Sequence, residues 1–197
     1  MLPNVFKYLK DCWTFKKCRQ NSRPVPMEDC LELPIKALLS HMSVQVCDLS
    51  YFGVPTLKCP TDYWIYRELI YKIKPDYIVE LGNAYGGSLL SMAHLCDQMN
   101  HGSLIGVDID HSNVHTIVKR HKRIDFITND AYEAVSEVKQ RISGAERVLV
   151  IEDSLHTYDY TLKLLQAYGN LVTKDSYFIV EDTVIGHGFP NGGDKSP

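Results

Sequence analysis

From residue 62 onward, short apolar runs alternate with segments that have helical periodicity. The apolar runs are continuous, as in YIVEL at 77–81, and do not alternate between polar and apolar residues. Strands buried on both faces have this character, and strands separated by helices form parallel sheets. The pattern therefore predicts an α/β fold in which helices cover both faces of a doubly wound parallel sheet. The predicted strands are 77–81, 104–109, 125–128, 147–153 and 177–182, and the predicted helices are 62–74, 88–99, 114–121, 131–142 and 158–172.

The composition is typical of one globular domain with an appended segment. The chain has 197 residues, of which 45% are hydrophobic and 23% are charged. A chain of this size can bury a substantial core. Its formal net charge of −3 provides no concentrated basic surface of the kind that binds nucleic acid, so we expect no nucleic-acid partner.

The cysteines indicate a reducing compartment. Six cysteines are scattered without CxxC spacing, and no apolar leader precedes them. An even number of cysteines also permits a disulfide framework, which stays an alternative. No apolar run is long enough to span a bilayer. We therefore expect a cytoplasmic protein without a transmembrane segment.

Residues 1–50 differ in character from the rest and predict a helical extension to a domain at 51–197. Basic residues outnumber acidic ones at the start of this segment. A basic amphipathic helix can contact a membrane surface, or it can dock on the domain or on a second subunit. A homo-oligomer is therefore left open. The apolar side of this helix would consist of Val5, Tyr8, Leu9, Trp13 and Phe15.

The ends of the predicted strands carry the functional signal. In an open parallel sheet, ligands bind beyond the carboxyl ends of the strands. Any single acid at such an end can be a helix cap or a turn residue, but five consecutive strands here end in acid. We interpret this edge as a functional site. The acids are Glu80, Asp108, Asp130, Asp153 and the adjacent pair Glu181 and Asp182.

The first of these strands runs into a glycine-rich turn, ELGNAYGGS at 80–88. Glycines at a helix start allow a tight turn whose free N–H groups attract an anion. The dinucleotide fingerprint G-x-G-x-x-G would need glycine at 84, where Ala84 stands, and this favours a ligand carboxylate over a pyrophosphate. Asp108 follows Gly82 by 26 residues at the end of the next strand, a position from which an acid accepts hydrogen bonds from ribose hydroxyls.

These motifs carry a family resemblance. The stretches ELGNAYGGS, GVDID, IEDSLH and VEDT resemble class I S-adenosylmethionine-dependent methyltransferases, which have a Rossmann-like fold. The stretch FGVPTLKCPTDYWIYRELI at 52–70 is similar to the cephalosporin hydroxylase-like family, whose members include sugar O-methyltransferases. The likeness covers about residues 51–189. Family chains normally continue further, so we expect the final strands of the methyltransferase sheet to be absent.

The resemblance implies roles for the acids and for the glycine turn. Asp153, Glu181 and Asp182 would match the divalent-metal ligands of the family. The implied cofactor-binding residues are Glu80, Gly82, Ala84 and Ser88 in the turn that holds the amino-acid end of S-adenosylmethionine, Asp108 at its ribose, and Asp130 beside its adenine.

The chemistry of the three acids agrees with a metal site. Carboxylate oxygens suit Mg²⁺ or another hard divalent cation. Glu181 and Asp182 directly follow an apolar strand, where an unpaired acid pair would repel and pay for desolvation. The alternative is that they form salt bridges to lysines or cap the following turn.

His156 stands three residues after Asp153 and is a candidate general base. In catechol O-methyltransferase, which has a related fold, a lysine base stands at the equivalent place. The alternatives are a structural histidine, or a substrate hydroxyl so acidified by the metal that no protein base is needed.

The resulting hypothesis is metal-assisted methyl transfer from S-adenosylmethionine to a hydroxyl of a small molecule, either a vicinal diol, as in a sugar, or a catechol. Two other functions stay open. One is a binding or assembly subunit that has kept the fold. The other is a hydroxylase, as the family name suggests, although a non-haem iron site needs two histidines with one carboxylate.

Overall fold

The computed structural model describes residues 46–183. Its centre is a five-stranded parallel sheet with the strand order β5-β4-β3-β6-β7. The strands are β3 (Tyr77–Leu81), β4 (Ser103–Asp108), β5 (Ile124–Thr128), β6 (Val148–Glu152) and β7 (Phe178–Val180). The chain winds outward from β3 to β5 and then returns to place β6 on the other side of β3. The strand order therefore reverses at β3, where open α/β sheets form their ligand crevice.

Helices cover both faces of the sheet. They are α1 (Pro60–Ile73), α2 (Gly87–Met99), α3 (Thr116–Lys119), α4 (Val135–Arg141) and α5 (Tyr158–Tyr168). On one face, Ile78 of β3 belongs to a buried core with Ile70 of α1 and Leu89 of α2. On the other face, the next strand residue, Val79, belongs to a second core with Leu164 of α5. Successive strand side chains thus enter opposite layers, which explains the continuous apolar runs.

The predicted α/β class with a two-sided parallel sheet is confirmed. Strand β3 begins and ends where the sequence predicted, whereas the helices predicted at 114–121 and 131–142 are shorter, at Thr116–Lys119 and Val135–Arg141. Residues before α4 form turns instead of helix, and the Asp130 carboxylate accepts hydrogen bonds there from the backbone N–H groups of Tyr132 and Glu133.

A short hairpin precedes the sheet domain. Strand β1 (Ser50–Tyr51) pairs antiparallel with β2 (Val54–Pro55) across a turn in which Phe52 and Gly53 both have positive φ. A Cβ atom at Gly87 would lie only 2.4 Å from the carbonyl oxygen of Pro55, so the hairpin packs closely on the start of α2. The chain then leads through Lys58 into α1.

Several predictions fall wholly or largely outside the described residues. Of the helical extension predicted at 1–50, only residues 46–50 are described. The predicted absence of final strands concerns residues after 183, which lie outside the described residues. The division at residue 50 therefore stays a prediction. Within residues 46–183, none of the helices combines the length and apolar character needed to cross a membrane. Cys59 and Cys96 carry free thiols.

Candidate active site

The site lies where β3 and β6 end side by side. The backbone N–H of Asp153 donates to the carbonyl of Leu81, and Gly82 follows with a φ of +87°. A Cβ atom at Gly82 would lie 2.1 Å from the carbonyl oxygen of Asp153. Glycine is therefore required here both by the left-handed backbone and by the close approach of β6.

The turn after Gly82 leads directly into α2. Ala84 is exposed with a φ of +43°, and Gly86, with a φ of +83°, is the last residue before the helix. No side chain caps this end of the helix. The first N–H groups of a helix and its positive dipole end attract an anion. The predicted glycine turn at a helix start is thus present, with Ala84 at its exposed tip, and its binding of an anion stays a prediction.

Glu80 is fully buried beneath this turn. Its carboxylate accepts a hydrogen bond of 2.5 Å from Ser88 Oγ and one of 3.4 Å from Asn83 Nδ2. Burial raises the pKa of Glu80 to about 7, while Lys58 and the Ser88 hydroxyl oppose this shift. Glu80 and Ser88 therefore brace the turn from within, and their predicted contact with a ligand stays a prediction.

Asp108, at the end of β4, lies beside the same turn. Its Oδ2 accepts the backbone N–H of Asn83 at 2.7 Å, and its Oδ1 accepts that of Asp110 at 3.3 Å. Each carboxylate oxygen keeps a second lone pair, and the side chain is only partly buried. Asp108 can therefore accept further hydrogen bonds from a ligand. Ile109, which follows it, exposes 73% of its surface and offers apolar area next to the acid.

A buried histidine links the ends of β3, β4 and β5. His111 Nε2 lies 3.0 Å from Asn83 Oδ1, and His111 Nδ1 lies 2.8 Å from the hydroxyl of Thr128. Burial lowers the pKa of His111, against the attraction of Asp108 and Asp110. This network fixes Asn83, whose backbone holds Asp108.

Asp130 has a structural role at the end of β5. Its Oδ1 accepts backbone N–H groups of the following turn, and its Oδ2 accepts the hydroxyl of Tyr160 at 2.8 Å. Burial alone would raise the pKa of Asp130, but these hydrogen bonds outweigh it and lower the pKa. Asp130 therefore shapes the turn in which the adenine contact was predicted.

Lys58 enters the site from the loop between β2 and α1. Its side chain is only 3% exposed, and its Nζ lies 2.6 Å from Asp153 Oδ2 and 3.0 Å from Glu181 Oε1. The same Nζ lies 3.9 Å from Glu80 Oε1. Burial lowers the pKa of Lys58, but the carboxylates of Asp153, Glu80 and Glu181 outweigh this effect and hold the pKa well above its ordinary value.

Glu181 also accepts a hydrogen bond from Tyr66 of α1. With Lys58 and Tyr66 both on its Oε1, Glu181 forms the salt bridge to lysine that the sequence left as an alternative. The backbone turns sharply after it, because Asp182 has a φ of +56°. The two adjacent acids therefore have different surroundings, and the predicted metal-ligand role of Glu181 stays a prediction.

Asp153, His156 and Asp182 form a separate cluster. His156 Nε2 lies 3.8 Å from Asp153 Oδ1 and 3.6 Å from Asp182 Oδ2. One donor atom from each of the three residues lies within 4.8 Å of the others, a spacing that can hold a metal ion. His156 has a φ of +53°, and its Nδ1 is buried without a hydrogen-bond partner. A strained backbone at a cluster of this kind is typical of a functional site.

The electrostatics of this cluster suit a divalent cation. Burial raises the pKa of Asp153 to about 6, although Lys58 opposes the shift. Burial also raises the pKa of Asp182, against the attraction of His156. A hard cation on these oxygens would remove the cost of charging them, so the donor set fits Mg²⁺ or Mn²⁺. Among residues 46–183, no metal-competent cluster combines two histidines with one carboxylate, the set that a non-haem iron hydroxylase needs.

The sequence interpretation assigned no role to Lys58, Tyr66, Asn83 or His111. A signal for Lys58 was present, since one lysine lies in the otherwise uncharged stretch FGVPTLKCP of a chain whose strand ends are rich in acid. Tyr66 is an apolar-face residue of α1 whose side chain is buried. Its hydroxyl contact could not be found from sequence, because Glu181 lies 115 residues away.

A family model described as rhamnosyl O-methyltransferase/CmcI matches residues 44–195. The chain belongs to this family. The match confirms the predicted resemblance to the cephalosporin hydroxylase-like methyltransferases.

The curated proteins that resemble this chain have names that match the family description. The rhamnosyl O-methyltransferase of Mycobacterium tuberculosis is 27% identical over 143 residues, which are 70% of this chain and 58% of that protein. The rhamnosyl O-methyltransferase of Mycobacterium leprae is 25% identical over 137 residues, 68% of this chain and 60% of that protein. The chain thus spans about three fifths of the length of these relatives.

Among solved structures, an apo structure of CmcI superimposes with a TM-score of 0.59 at 24% identity and covers 82% of this chain and 67% of CmcI. A Mg-SAM structure of CmcI has the same TM-score and coverage at 23% identity. The methyltransferase MycE, in complex with Mg and SAH, covers 78% of this chain and 39% of MycE with a TM-score of 0.51 at 22% identity. These likenesses confirm the Rossmann-like fold of class I methyltransferases.

Proposed function

We propose that this chain is an S-adenosylmethionine-dependent O-methyltransferase that acts on a sugar hydroxyl with the help of a divalent cation. The observation that carries the proposal is the contact between Gly82 and Asp153, which joins a glycine turn and a carboxylate–histidine cluster at one edge of the sheet. Family membership and the names of the curated rhamnosyl O-methyltransferases support it.

The cofactor would bind over the turn between β3 and α2. The uncapped N–H groups at the start of α2 would receive its carboxylate, and Asp108 would accept hydrogen bonds from its ribose hydroxyls. The exposed side chain of Ile109 would lie against the adenine, with the turn that Asp130 shapes nearby. The Mg-SAM structure of CmcI supports the choice of cofactor.

The divalent cation would be held by the carboxylates of Asp153 and Asp182, beside His156, with Oε2 of Glu181 as a further oxygen ligand. Mg²⁺ is supported by the donor chemistry and by the Mg complexes of CmcI and MycE. When both groups are bound, S-adenosylmethionine supplies an electrophilic methyl group and the cation lowers the pKa of an acceptor hydroxyl.

The protein's own contribution is orientation and proton removal. His156 Nε2 faces the two carboxylates, and its buried Nδ1 has no hydrogen-bond partner that would hold the ring elsewhere. We assign it as the general base that accepts the proton of the acceptor hydroxyl. Asp153 and Asp182 orient its ring and stabilise the imidazolium that forms. If His156 binds the cation instead, proton removal falls to water.

The acceptor would be a vicinal diol of a rhamnosyl-type sugar. Adjacent hydroxyls suit a site in which several oxygen ligands converge on one cation. The family description and the curated relatives' names support a rhamnosyl unit, and the whole-protein activity of those relatives supports transfer to oxygen.

The experiment that tests this proposal is transfer of a labelled methyl group from S-adenosylmethionine to a rhamnoside in the presence of Mg²⁺. A matched acceptor whose ring hydroxyls are already methylated is the control. Label on the rhamnoside alone supports the proposal. Cofactor binding without label on any diol would favour a binding or assembly subunit, and oxygen consumption coupled to substrate loss would favour a hydroxylase.

A further inference from the structure

Three acids of the site form ion pairs with one buried lysine, Lys58, and they are Glu80, Asp153 and Glu181. We propose that Lys58 is a resident counter-cation, which keeps the acidic edge folded in the metal-free protein and lowers its affinity for a divalent cation. This inference rests on the metal site of the proposed function. It assigns Lys58 a positioning role that acts through Asp153 and Glu181.

Asp153 and Glu181 each contact Lys58 and one further side chain. The Lys58 ammonium takes Oδ2 of Asp153 at 2.6 Å, while Oδ1 of the same carboxylate faces His156. Lys58 and the Tyr66 hydroxyl both take Oε1 of Glu181. Lys58 thus holds one oxygen of each carboxylate and leaves Oδ1 of Asp153 and Oε2 of Glu181 for a cation.

The balance of charge makes Lys58 necessary when no metal is bound. Four carboxylates converge on this edge, those of Glu80, Asp153, Glu181 and Asp182. Within residues 46–183, three of the four form an ion pair with a lysine or arginine, and in each case the partner is Lys58. Removing one partner of a buried ion pair leaves an uncompensated charge, which is more costly than never burying the pair. A metal-free chain without Lys58 therefore loses stability.

The same ammonium opposes metal binding. Two cations that share the Asp153 carboxylate repel each other in a poorly solvated environment. Lys58 also holds Oε1 of Glu181, so a cation bound by that carboxylate would meet the same repulsion. Replacing Lys58 by a neutral side chain removes both obstacles, so the divalent cation should bind more tightly and restore the lost stability.

The test compares wild type with Lys58→Met and Lys58→Gln by thermal unfolding in EDTA and in saturating Mg²⁺, and by calorimetric titration of Mg²⁺ alone. We expect both variants to unfold at lower temperature in EDTA and to regain most of the loss in Mg²⁺. We also expect Mg²⁺ to bind them about tenfold more tightly than wild type. The matched control is Lys72→Met, because Lys72 forms an exposed ion pair with Glu68 on α1.

A purely structural lysine would produce a different result. Equal loss of stability with and without Mg²⁺, or weaker Mg²⁺ binding by both variants, would overturn the proposal while the metal site stands. A Lys58→Met chain that is unfolded in EDTA supports the proposal if Mg²⁺ restores its fold and contradicts it if Mg²⁺ does not. Failure of wild type and both variants to bind Mg²⁺ would reject the metal site itself and the Lys58 role with it.

Discussion

The backbone N–H of Asn83 donates a hydrogen bond of 2.7 Å to Oδ2 of Asp108, and this bond joins the glycine turn after β3 to the acid at the end of β4. The side chain of Asn83 continues the connection to His111, which reaches Thr128 at the end of β5. Three strand ends are therefore held in register by polar contacts beneath the proposed cofactor site. Disturbing any one of them should disturb the position of Asp108.

His111 should make folding stability depend on pH. Its pKa in the folded protein is lower than its ordinary value of 6.5, first because of burial. Between pH 6.5 and the folded pKa, this histidine is largely protonated in the unfolded chain and neutral in the folded chain. Its contribution to stability is therefore complete above about pH 6.5 and is lost as the pH falls through the folded pKa. We expect His111→Gln to show a smaller loss than wild type across this window, measured by denaturant unfolding at several pH values.

Measurements near pH 8 provide the reference, because the histidine is neutral there in both the folded and the unfolded protein. Any difference in stability between wild type and His111→Gln at that pH reports only the altered hydrogen bonds. Identical pH dependence of wild type and His111→Gln would show that the buried histidine titrates without consequence for folding.

Gly82→Ala should destabilise the protein by about 3 kcal/mol or more. The new Cβ would meet the carbonyl of Asp153 at 2.1 Å, so β3 and β6 must separate at the site, and the φ of +87° adds backbone strain. Gly144→Ala is the matched control, since Gly144 has a φ of +85° and nothing within 4 Å of the Cβ position. We expect that variant to lose only about 1 kcal/mol. Equal losses in thermal or denaturant unfolding would mean that close packing at Gly82 is unimportant.

His156→Gln should lower the rate of methyl transfer while leaving cofactor binding intact. Loss of a general base typically slows the chemical step by about 10²- to 10⁴-fold. We expect kcat on a rhamnoside to fall within this range, with His101→Gln, a change at a half-exposed histidine near Lys74, as control. Unchanged kcat would assign proton removal to water or to the acidified hydroxyl.

The fold was predictable because each strand has an apolar sequence of its own. YIVEL contains five residues with four fully or nearly buried side chains, and β3 has the bounds that the sequence predicted. Helices α3 and α4 were predicted too long, since apolar residues such as Val114 and Ala131 are buried in loops and turns and so imitate helical periodicity. The turn before α4 also contains a tertiary contact that the local sequence does not reveal, the hydrogen bond from the Tyr160 hydroxyl to Asp130.

The site was predictable only in part. The acids could be placed at one edge from the rule that parallel strands end together, and Asp153 and Asp182 do meet there with His156. The orientation of Glu181 could not be predicted, because its partners Lys58 and Tyr66 lie 123 and 115 residues away in the sequence. Adjacent acids that follow one strand look alike in sequence but can face different partners once the backbone turns.

The most direct test of the proposed activity is calorimetric titration of S-adenosylmethionine into wild type, Asp108→Asn and Asp110→Asn. Asp110 is the matched control because it lies two residues from Asp108, is exposed, and its carboxylate accepts hydrogen bonds from Ser112. We predict one binding site per chain in wild type, binding at least about tenfold weaker in Asp108→Asn, and unchanged binding in Asp110→Asn. Absence of binding to wild type, or equal binding by all three proteins, would contradict a cofactor site at the ends of β3 and β4.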